Sequence, residues 1–335
     1  MNDIMKNLYV VSSPFQCISA IEAKTQMVTM HNILVVVYYL KDGIDVVKQI
    51  RETLNITQWE DVIEIGVDKK KSKYFEYISI IKKLKKSIYD NIFIGHFGQF
   101  QTTLLSNLKI NRIYAIDDGI LTIKLHKTEL NPNLKNSRSL AKNIKMLRYS
   151  LLGLKTTFDK TRVNYFTMFD LEAYYGELIV KNNFIFMKKY SLNKRRDDRV
   201  AYLLGQPLYD SGFLEKERYL YFLKSIKNFL KERGMTVLYI PHRREKNIEY
   251  LKYLEDEDFK IKNLYMPIVL YLLKSDILPM EIYSFISTAL FSIQKIFFIK
   301  TAAVYIEKEF LLCNHENIEK TYDELKDYGV HILKV

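Results

Sequence analysis

Three short stretches carry the groups that could do chemistry. Asp117-Asp118-Gly119 sets two carboxylates side by side ahead of a flexible residue. A carboxylate held at the rim of a site can take a proton from an attacking hydroxyl. Pro241-His242-Arg243-Arg244 follows the apolar run Val237–Ile240 and places an imidazole beside two guanidiniums. That combination suits a phosphate. Ser287-Thr288 offers two hydroxyls where a helix is expected to start, and hydroxyls with unpaired helix N–H groups form an anion site. Each stretch also has a plain structural use, as a turn, a solvated basic helix start and an N-cap.

Lesser candidates lie near these. Gly205-Gln206-Pro207 closes an expected strand, and Gly205 would let a ligand approach the backbone closely. Asp210 follows it by three residues and is a second candidate base. Glu281 could accept from ribose hydroxyls or simply be solvated. Ser12, Ser13 and Gln16 lie in Ser-Ser-Pro-Phe-Gln, which could meet a sugar or only cap a helix. His96 follows an expected strand. His31, His126, His315 and His331 are scattered, and no pair has metal-ligand spacing.

The elements needed to hold these groups alternate along the chain. Strands are expected at Leu8–Ser12, Ile33–Tyr39, Asp61–Val67, Asn91–Phe97 and Arg112–Ile116. Helices are expected between them, from Pro14 to about Met27, Gly43–Leu54, Tyr74–Ile88 and Phe100–Leu108. Strands alternating with helices mean a parallel sheet wrapped by helices. A basic helix over Ser139–Leu152 and a strand at Asn164–Phe169 follow. The charged stretch Lys188–Arg199 reads as a linker. A second series then runs Val200–Leu204 (strand), Glu215–Arg233 (helix stopped by Gly234), Val237–Ile240 (strand) and Glu245–Leu254 (helix). After these come Ile268–Leu273 (helix), a short irregular Ile277–Phe285, a helix start at Ser287–Ser292, Ala303–Glu307 (strand), Ile318–Tyr328 (helix) and His331–Lys334 (strand).

The chain is therefore expected to be α/β, with two Rossmann-like domains over 1–190 and 191–335 facing a central cleft, the GT-B arrangement. In such sheets ligands bind outside the carboxyl ends of the strands, where all the candidate stretches fall. No Gly-x-Gly-x-x-Gly follows the first strand and no Walker A sequence occurs, which argues against dinucleotide and P-loop chemistry.

The totals agree with an anionic substrate. The 335 residues are 48% hydrophobic and carry a formal charge of +12. A basic balance favours nucleic acid, acidic lipid or a phosphorylated substrate. Nothing resembles an RNA-binding motif or a helix-turn-helix, so nucleic acid is the rival reading and not the expected partner. Two isolated cysteines, Cys17 and Cys313, fit neither a disulfide framework nor a zinc site and suit a reducing, cytoplasmic setting. No apolar run is long enough to span a bilayer.

In order, Asp117-Asp118-Gly119, Pro241-His242-Arg243 and Ser287-Thr288 resemble the three marks of bacterial sialyltransferases. The Ser-Ser-Pro-Phe-Gln and Gly-Gln-Pro stretches are most similar to glycosyltransferase family 52, which holds lipooligosaccharide and capsule sialyltransferases. The resemblance runs from about residue 8 to about residue 310; Arg243 stands where such families usually have proline. It implies inverting, metal-independent transfer of sialic acid from CMP-sialic acid to a hydroxyl of a galactose-terminated glycan, with no cofactor. Asp117 or Asp118, or else Asp210, would be the base. Protonated His242 would meet the departing phosphate, helped by Arg243 or Arg244. Ser287 and Thr288 would hold that phosphate, Glu281 the ribose, and Gly205, Gln206 and Pro207 the cytidine region. Ser12, Ser13, Gln16 and His96 would face the acceptor. Other GT-B transferases, polysialyltransferases among them, are the alternative. Lipid-anchored acceptors would bring the lysine-rich helices to an anionic, cytoplasmic membrane face; a homodimer is left open.

Overall fold

The computed structural model describes residues 6–28, 31–39, 44–66, 73–131, 147–159, 162–174, 176–245 and 248–335. The chain divides into two compact units, Met1–Phe186 and Met187–Val335.

In the first unit, seven parallel strands form one sheet: β1 (Lys6–Val11), β2 (His31–Val37), β3 (Asp61–Ile65), β4 (Ile88–Ile94), β5 (Lys109–Ile116), β6 (Val163–Thr167) and β7 (Ile179–Lys181). Their order is β3-β2-β1-β4-β5-β6-β7. β1 and β2 are buried on both faces after their first residue, which is why Leu8–Val11 and Ile33–Val37 read as unbroken apolar runs. The helices Pro14–Gln26 and Ile44–Leu54 share one apolar layer with Tyr9, Val36 and Phe93. The helices Lys73–Leu84 and Gln99–Asn107 share the opposite layer with Val10, Val35 and Ile92. Tyr9, Phe93 and Tyr114 stack across β1, β4 and β5 at 4.7 and 5.2 Å between ring centres. Each such pair contributes about 0.5–1.5 kcal/mol beyond its buried area. The stack locks together the three strands whose carboxyl ends carry Ser12-Ser13, Gly95-His96 and Asp117-Asp118.

The second unit repeats the plan with six parallel strands: β8 (Arg195–Leu204), β9 (Thr236–Ile240), β10 (Phe259–Ile261), β11 (Ile277–Ser284), β12 (Lys300–Val304) and β13 (His331–Leu333). The order β10-β9-β8-β11-β12-β13 is that of a Rossmann sheet, 3-2-1-4-5-6. The expected α/β chain with two parallel-sheet domains is thus found.

Four local expectations are corrected. The supposed linker Lys188–Arg199 ends a helix, Ile185–Ser191, and opens β8. Its charge reflects exposure: Arg195 and Arg196 pair with Ile277 and Leu278 on β11 while most side chains there meet solvent. Ile277–Phe285 is not irregular but contains β11, a central strand. Pro279, which cannot donate to a ladder, sits where the register against β8 shifts between Pro279 and Glu281. The helix expected at Glu245–Leu254 shrinks to a 3₁₀ turn at Glu249–Leu254. The basic helix expected over Ser139–Leu152 lies largely outside the described residues; 147–150 are helical. The helix Lys73–Leu84 stops early, and Ile88 begins β4.

Candidate functional site

The carboxyl edge of the first sheet gathers Ser12-Ser13 (after β1), Gly95-His96 (after β4) and Asp117-Asp118 (after β5), on neighbouring strands. Ser13 is the N-cap of helix Pro14–Gln26. Its φ of −139° and ψ of 157° are extended, its Oγ accepts the Gln16 N–H at 3.2 Å, and Pro14 fills the first turn. The Ser13 hydroxyl donates to Asp118 Oδ1 at 2.9 Å, while the Asp118 N–H is held by Thr122 Oγ1 at 2.8 Å. Asp118 is half-buried, and the Ser13 hydroxyl orients its carboxylate.

Asp117 is a different group. It is fully buried, and its carboxylate accepts the Thr167 hydroxyl at 2.5 Å and the Met168 N–H at 2.7 Å. Burial pushes its pKa up to about 7, against the pull of Thr167, Met168, Asn182 and Lys181. Asp117 therefore ties β5 to the end of β6 and is corrected from candidate base to anchor.

Gln16 is corrected too. It is 1% exposed; its Oε1 accepts the Ser12 N–H at 2.7 Å and the Ser12 hydroxyl at 3.1 Å, and its Nε2 donates to the Gly95 carbonyl at 3.2 Å. Gln16 and the buried Ser12 join the ends of β1 and β4 and do not face an acceptor. Gly95 is required by this arrangement, since a Cβ there would lie 2.2 Å from Gln16 Cδ. Gly95→Ala is expected to cost about 1–3 kcal/mol by overpacking. Calorimetry should show the first unit melting lower by about 2–4 °C per kcal/mol; an unchanged transition would refute the account. His96 is exposed on the same edge, edge-on to Tyr39 at 6.3 Å.

In the second unit, the ends of three adjacent strands, β9, β8 and β11, carry His242, Gly205-Gln206-Pro207 and Ser287-Thr288. The Gly205 N–H bonds the Ile240 carbonyl at 2.8 Å, and the buried Ser284 hydroxyl bonds the Leu204 carbonyl at 2.8 Å, so the three ends are fastened together. The His242 Nδ1 accepts the Arg244 N–H at 3.2 Å, which leaves the proton of the neutral ring on Nε2. Burial, then Arg243 and Arg244, lower its pKa to about 4. The expected imidazolium is therefore a neutral Nε2–H donor when no anion is bound. Arg243 and Arg244 are exposed beside it, and Asp210 is exposed in the turn after Pro207. Ser287 Oγ accepts the Ala289 N–H at 3.3 Å at the head of helix Ala289–Phe297, and its hydroxyl hydrogen can still donate outward. Thr288 is the half-buried next residue.

Glu281 leaves the set. Arg233 grips it through both nitrogens, at 2.8 and 2.9 Å, and the Tyr283 hydroxyl donates to it as well. Its register partner is Lys300, the first residue of β12, and with Arg233, Gly329 and His331 it lines a cavity of about 350 Å³. Lys300 and His331 begin β12 and β13, and Arg233 and Gly329 lie shortly before β9 and β13. Glu281, within β11, is therefore level with the amino ends of its neighbours, away from the strand ends that carry His242. The guanidinium hydrogen bonds hold its pKa below the usual carboxylate range.

Sequence reasoning missed Tyr219, Tyr239 and Glu245, which form a buried cluster directly under His242. Glu245 Oε1 accepts from Tyr239 at 2.6 Å and Tyr219 at 3.1 Å, and Oε2 accepts the His242 N–H at 2.5 Å. Glu245 had read as the start of a helix. The one signal available was a glutamate three residues beyond the strand-end histidine. Among the described residues, no group of three or more His, Cys, Asp or Glu is placed to hold a metal ion, and no helix is long and apolar enough to cross a membrane.

No curated protein matches the sequence. Among solved structures, the UDP-GlcNAc 2-epimerase of Methanocaldococcus jannaschii, in complex with UDP-GlcNAc and UDP, is similar over 99% of this chain and 89% of its own. The identity is 12% and the TM-score 0.52, which speaks to the fold alone. The UDP-GlcNAc 2-epimerase of Neisseria meningitidis (98% and 95% covered, 10% identity, TM-score 0.49) and the Escherichia coli heptosyltransferase WaaC (96% and 99%, 12%, 0.46) are more distant in shape. The sequence profile of alpha-2,8-polysialyltransferases matches residues 7–306. The expected likeness to sialyltransferases is met through that family, and glycosyltransferase family 52 is not the one matched. Covered over most of its length, the chain belongs to the alpha-2,8-polysialyltransferase family and is a glycosyltransferase of the sialyltransferase kind.

Proposed function

We propose that the protein transfers sialic acid from CMP-sialic acid to a sugar hydroxyl with inversion and without a metal. The observation that carries the reading is the row of His242, Gly205-Gln206 and Ser287 at the ends of three adjacent strands in a chain of this family. A monophosphate leaving group needs hydrogen-bond donors aimed at its developing charge. The Nε2–H of His242, the Ser287 and Thr288 hydroxyls and the guanidiniums of Arg243 and Arg244 supply donors of that kind. Gly205, Gln206 and Pro207 border the cytidine. Asp118, oriented by Ser13, takes the acceptor proton, and His96 lies on the acceptor side.

Incubation with CMP-sialic acid and a panel of galactose-terminated acceptors tests this, with CMP release as the readout. The family's description adds sialoside acceptors to the panel as a second reading. Absence of CMP release with every acceptor of either kind would sink the proposal, as would a steep salt-dependent affinity for DNA or RNA without affinity for CMP.

The acceptor is lipid-anchored in this reading, and the protein works at the cytoplasmic membrane face. Phe75 is 69% exposed on helix Lys73–Leu84, and Lys82, Lys83, Lys85 and Lys86 are exposed at and beyond its end. Near an anionic surface each lysine contributes about 1 kcal/mol. Replacing all four by Glu is expected to lower partitioning onto vesicles of anionic phospholipid by at least about 100-fold, with no change on neutral vesicles. Equal sedimentation of both proteins would remove the membrane from the account.

A further inference from the structure

The cluster under His242 has more order than a strand-to-loop turn requires. Two buried tyrosines from different elements, Tyr219 of helix Lys216–Glu232 and Tyr239 of β9, converge on one carboxylate oxygen of Glu245. Between them they have two hydroxyl hydrogens. The Tyr239 hydrogen goes to Glu245, and the Tyr219 hydrogen is shared between Glu245 and the Tyr239 oxygen at 2.8 Å. The Tyr219 oxygen in turn accepts the Gln206 N–H at 3.3 Å. The second carboxylate oxygen holds the His242 N–H. One carboxylate thus connects the loop after β8 to the loop after β9. Gly205 is shaped to it, because a Cβ at that position would lie 2.3 Å from Glu245 Oε2 and 2.4 Å from the Tyr239 oxygen. Glycine there serves a side chain of the protein itself and not only a ligand.

We propose that Glu245, held by Tyr219 and Tyr239, is the positioning residue of the nucleotide side. By holding the His242 N–H it fixes the turn in which the Arg244 N–H meets Nδ1, so that the imidazole stays in its Nε2–H form. It couples that turn to the Gly205-Gln206 loop through Tyr219. The kinetic consequence rests on the transferase reading above; the structural consequence does not.

A pH response follows. Burial pushes Glu245 up to about 7, with Asp210 adding to the rise and Tyr239, Tyr219 and the His242 N–H opposing it. The groups facing it are Asp210, Tyr219, Tyr239, Tyr250 and His242. Above pH 7 the carboxylate accepts a charge-assisted bond from the His242 N–H. Below it, the protonated acid is a weaker acceptor, and the grip on the histidine loosens as pH falls.

Long-range ¹H–¹⁵N spectra of the histidine rings, with His242→Ala to assign the signal, test the structural part. In the unmodified protein the His242 ring should show the Nε2–H tautomer and a shift inflection near pH 7, well above its own titration. In Glu245→Gln that inflection should vanish and the two ring nitrogens move toward tautomer-averaged values. Tyr239→Phe, which keeps the carboxylate, should move them in the same direction and serves if Glu245→Gln fails to fold. His242 signals unchanged in whichever variant folds would overturn the proposal, whatever the activity. The kinetic arm predicts a fall of about 10–100-fold in kcat/KM for the donor from misplacement of the ring. An unmodified protein that binds no CMP defeats the donor reading and leaves the spectroscopic result standing.

Discussion

Asp118→Asn is expected to lower kcat by about 10²–10⁴-fold, the usual contribution of a positioned general base, with binding of CMP unchanged. Asp117→Asn is expected to leave kcat within a few-fold. The two residues are neighbours in sequence, and the difference comes from how β5 ends. Asp117 is fully buried, with Thr167 and Met168 binding both of its oxygens; Asp118 is half-buried and is met by the Ser13 hydroxyl. In Asp117→Asn the amide oxygen can still take the Met168 N–H, and the Thr167 hydroxyl can rotate to accept from the amide nitrogen. The substitution then costs about 1–3 kcal/mol of stability for bonds remade less well. Steady-state kinetics on both variants decide the matter. Loss of activity in Asp117→Asn without loss of stability would reverse the assignment, and full activity in Asp118→Asn would pass the role of base to Asp210.

Asp117 also sets a direction for stability against pH. Its folded pKa, about 7, lies above that of a carboxyl in the unfolded chain. Between about pH 4 and 7 the folded state therefore holds the proton that the unfolded state has released, and stability falls as pH rises through that window. Asp117→Asn should flatten this slope, which urea unfolding at a series of pH values would reveal.

Most of the fold was legible because parallel strands buried on both faces read as apolar runs. Lys6–Val11 and His31–Val37 are of this kind, and the first is followed by the capping Ser13 at the carboxyl edge. What escaped was written in polar residues. The first half of β8 is charged because its side chains meet solvent, so pattern alone made it a linker. β11 contains a proline, accommodated by a register shift that no local rule announces. The site divides along the same line. Ser13, His242 and Ser287 could be found because capping and strand-end chemistry are local. That Gln16, Asp117 and Glu281 turn inward depends on Gly95, Thr167 and Arg233, which lie tens of residues away in the chain. Glu245 was hidden in part for the same reason: Tyr239 is six residues before it on β9, but Tyr219 is 26 residues away on a helix.

His242→Ala should lower kcat by about 10²–10³-fold, the loss typical of one donor aimed at developing charge. It should also weaken CMP by about 1.5–3 kcal/mol, a hydrogen bond to a charged group. The informative variant is His242→Gln. With its pKa lowered to about 4, the ring of the unliganded protein is neutral at pH 7, so a requirement for the imidazolium would make kcat/KM fall steadily above about pH 4. A neutral Nε2–H donor gives no such basic limb. Glutamine, which offers an N–H but cannot lose a proton, should then restore part of what alanine removes. Near-equal rates for His242→Gln and His242→Ala, together with a basic limb that disappears in both, would show instead that the phosphate raises the ring's pKa enough to make it an acid. The role of Arg243 and Arg244 would change with that outcome. Beside a neutral ring they supply the positive charge that the phosphate needs, whereas beside an imidazolium they oppose its protonation, as they do in the unliganded protein. Arg243→Ala and Arg244→Ala should accordingly weaken CMP if the histidine stays neutral.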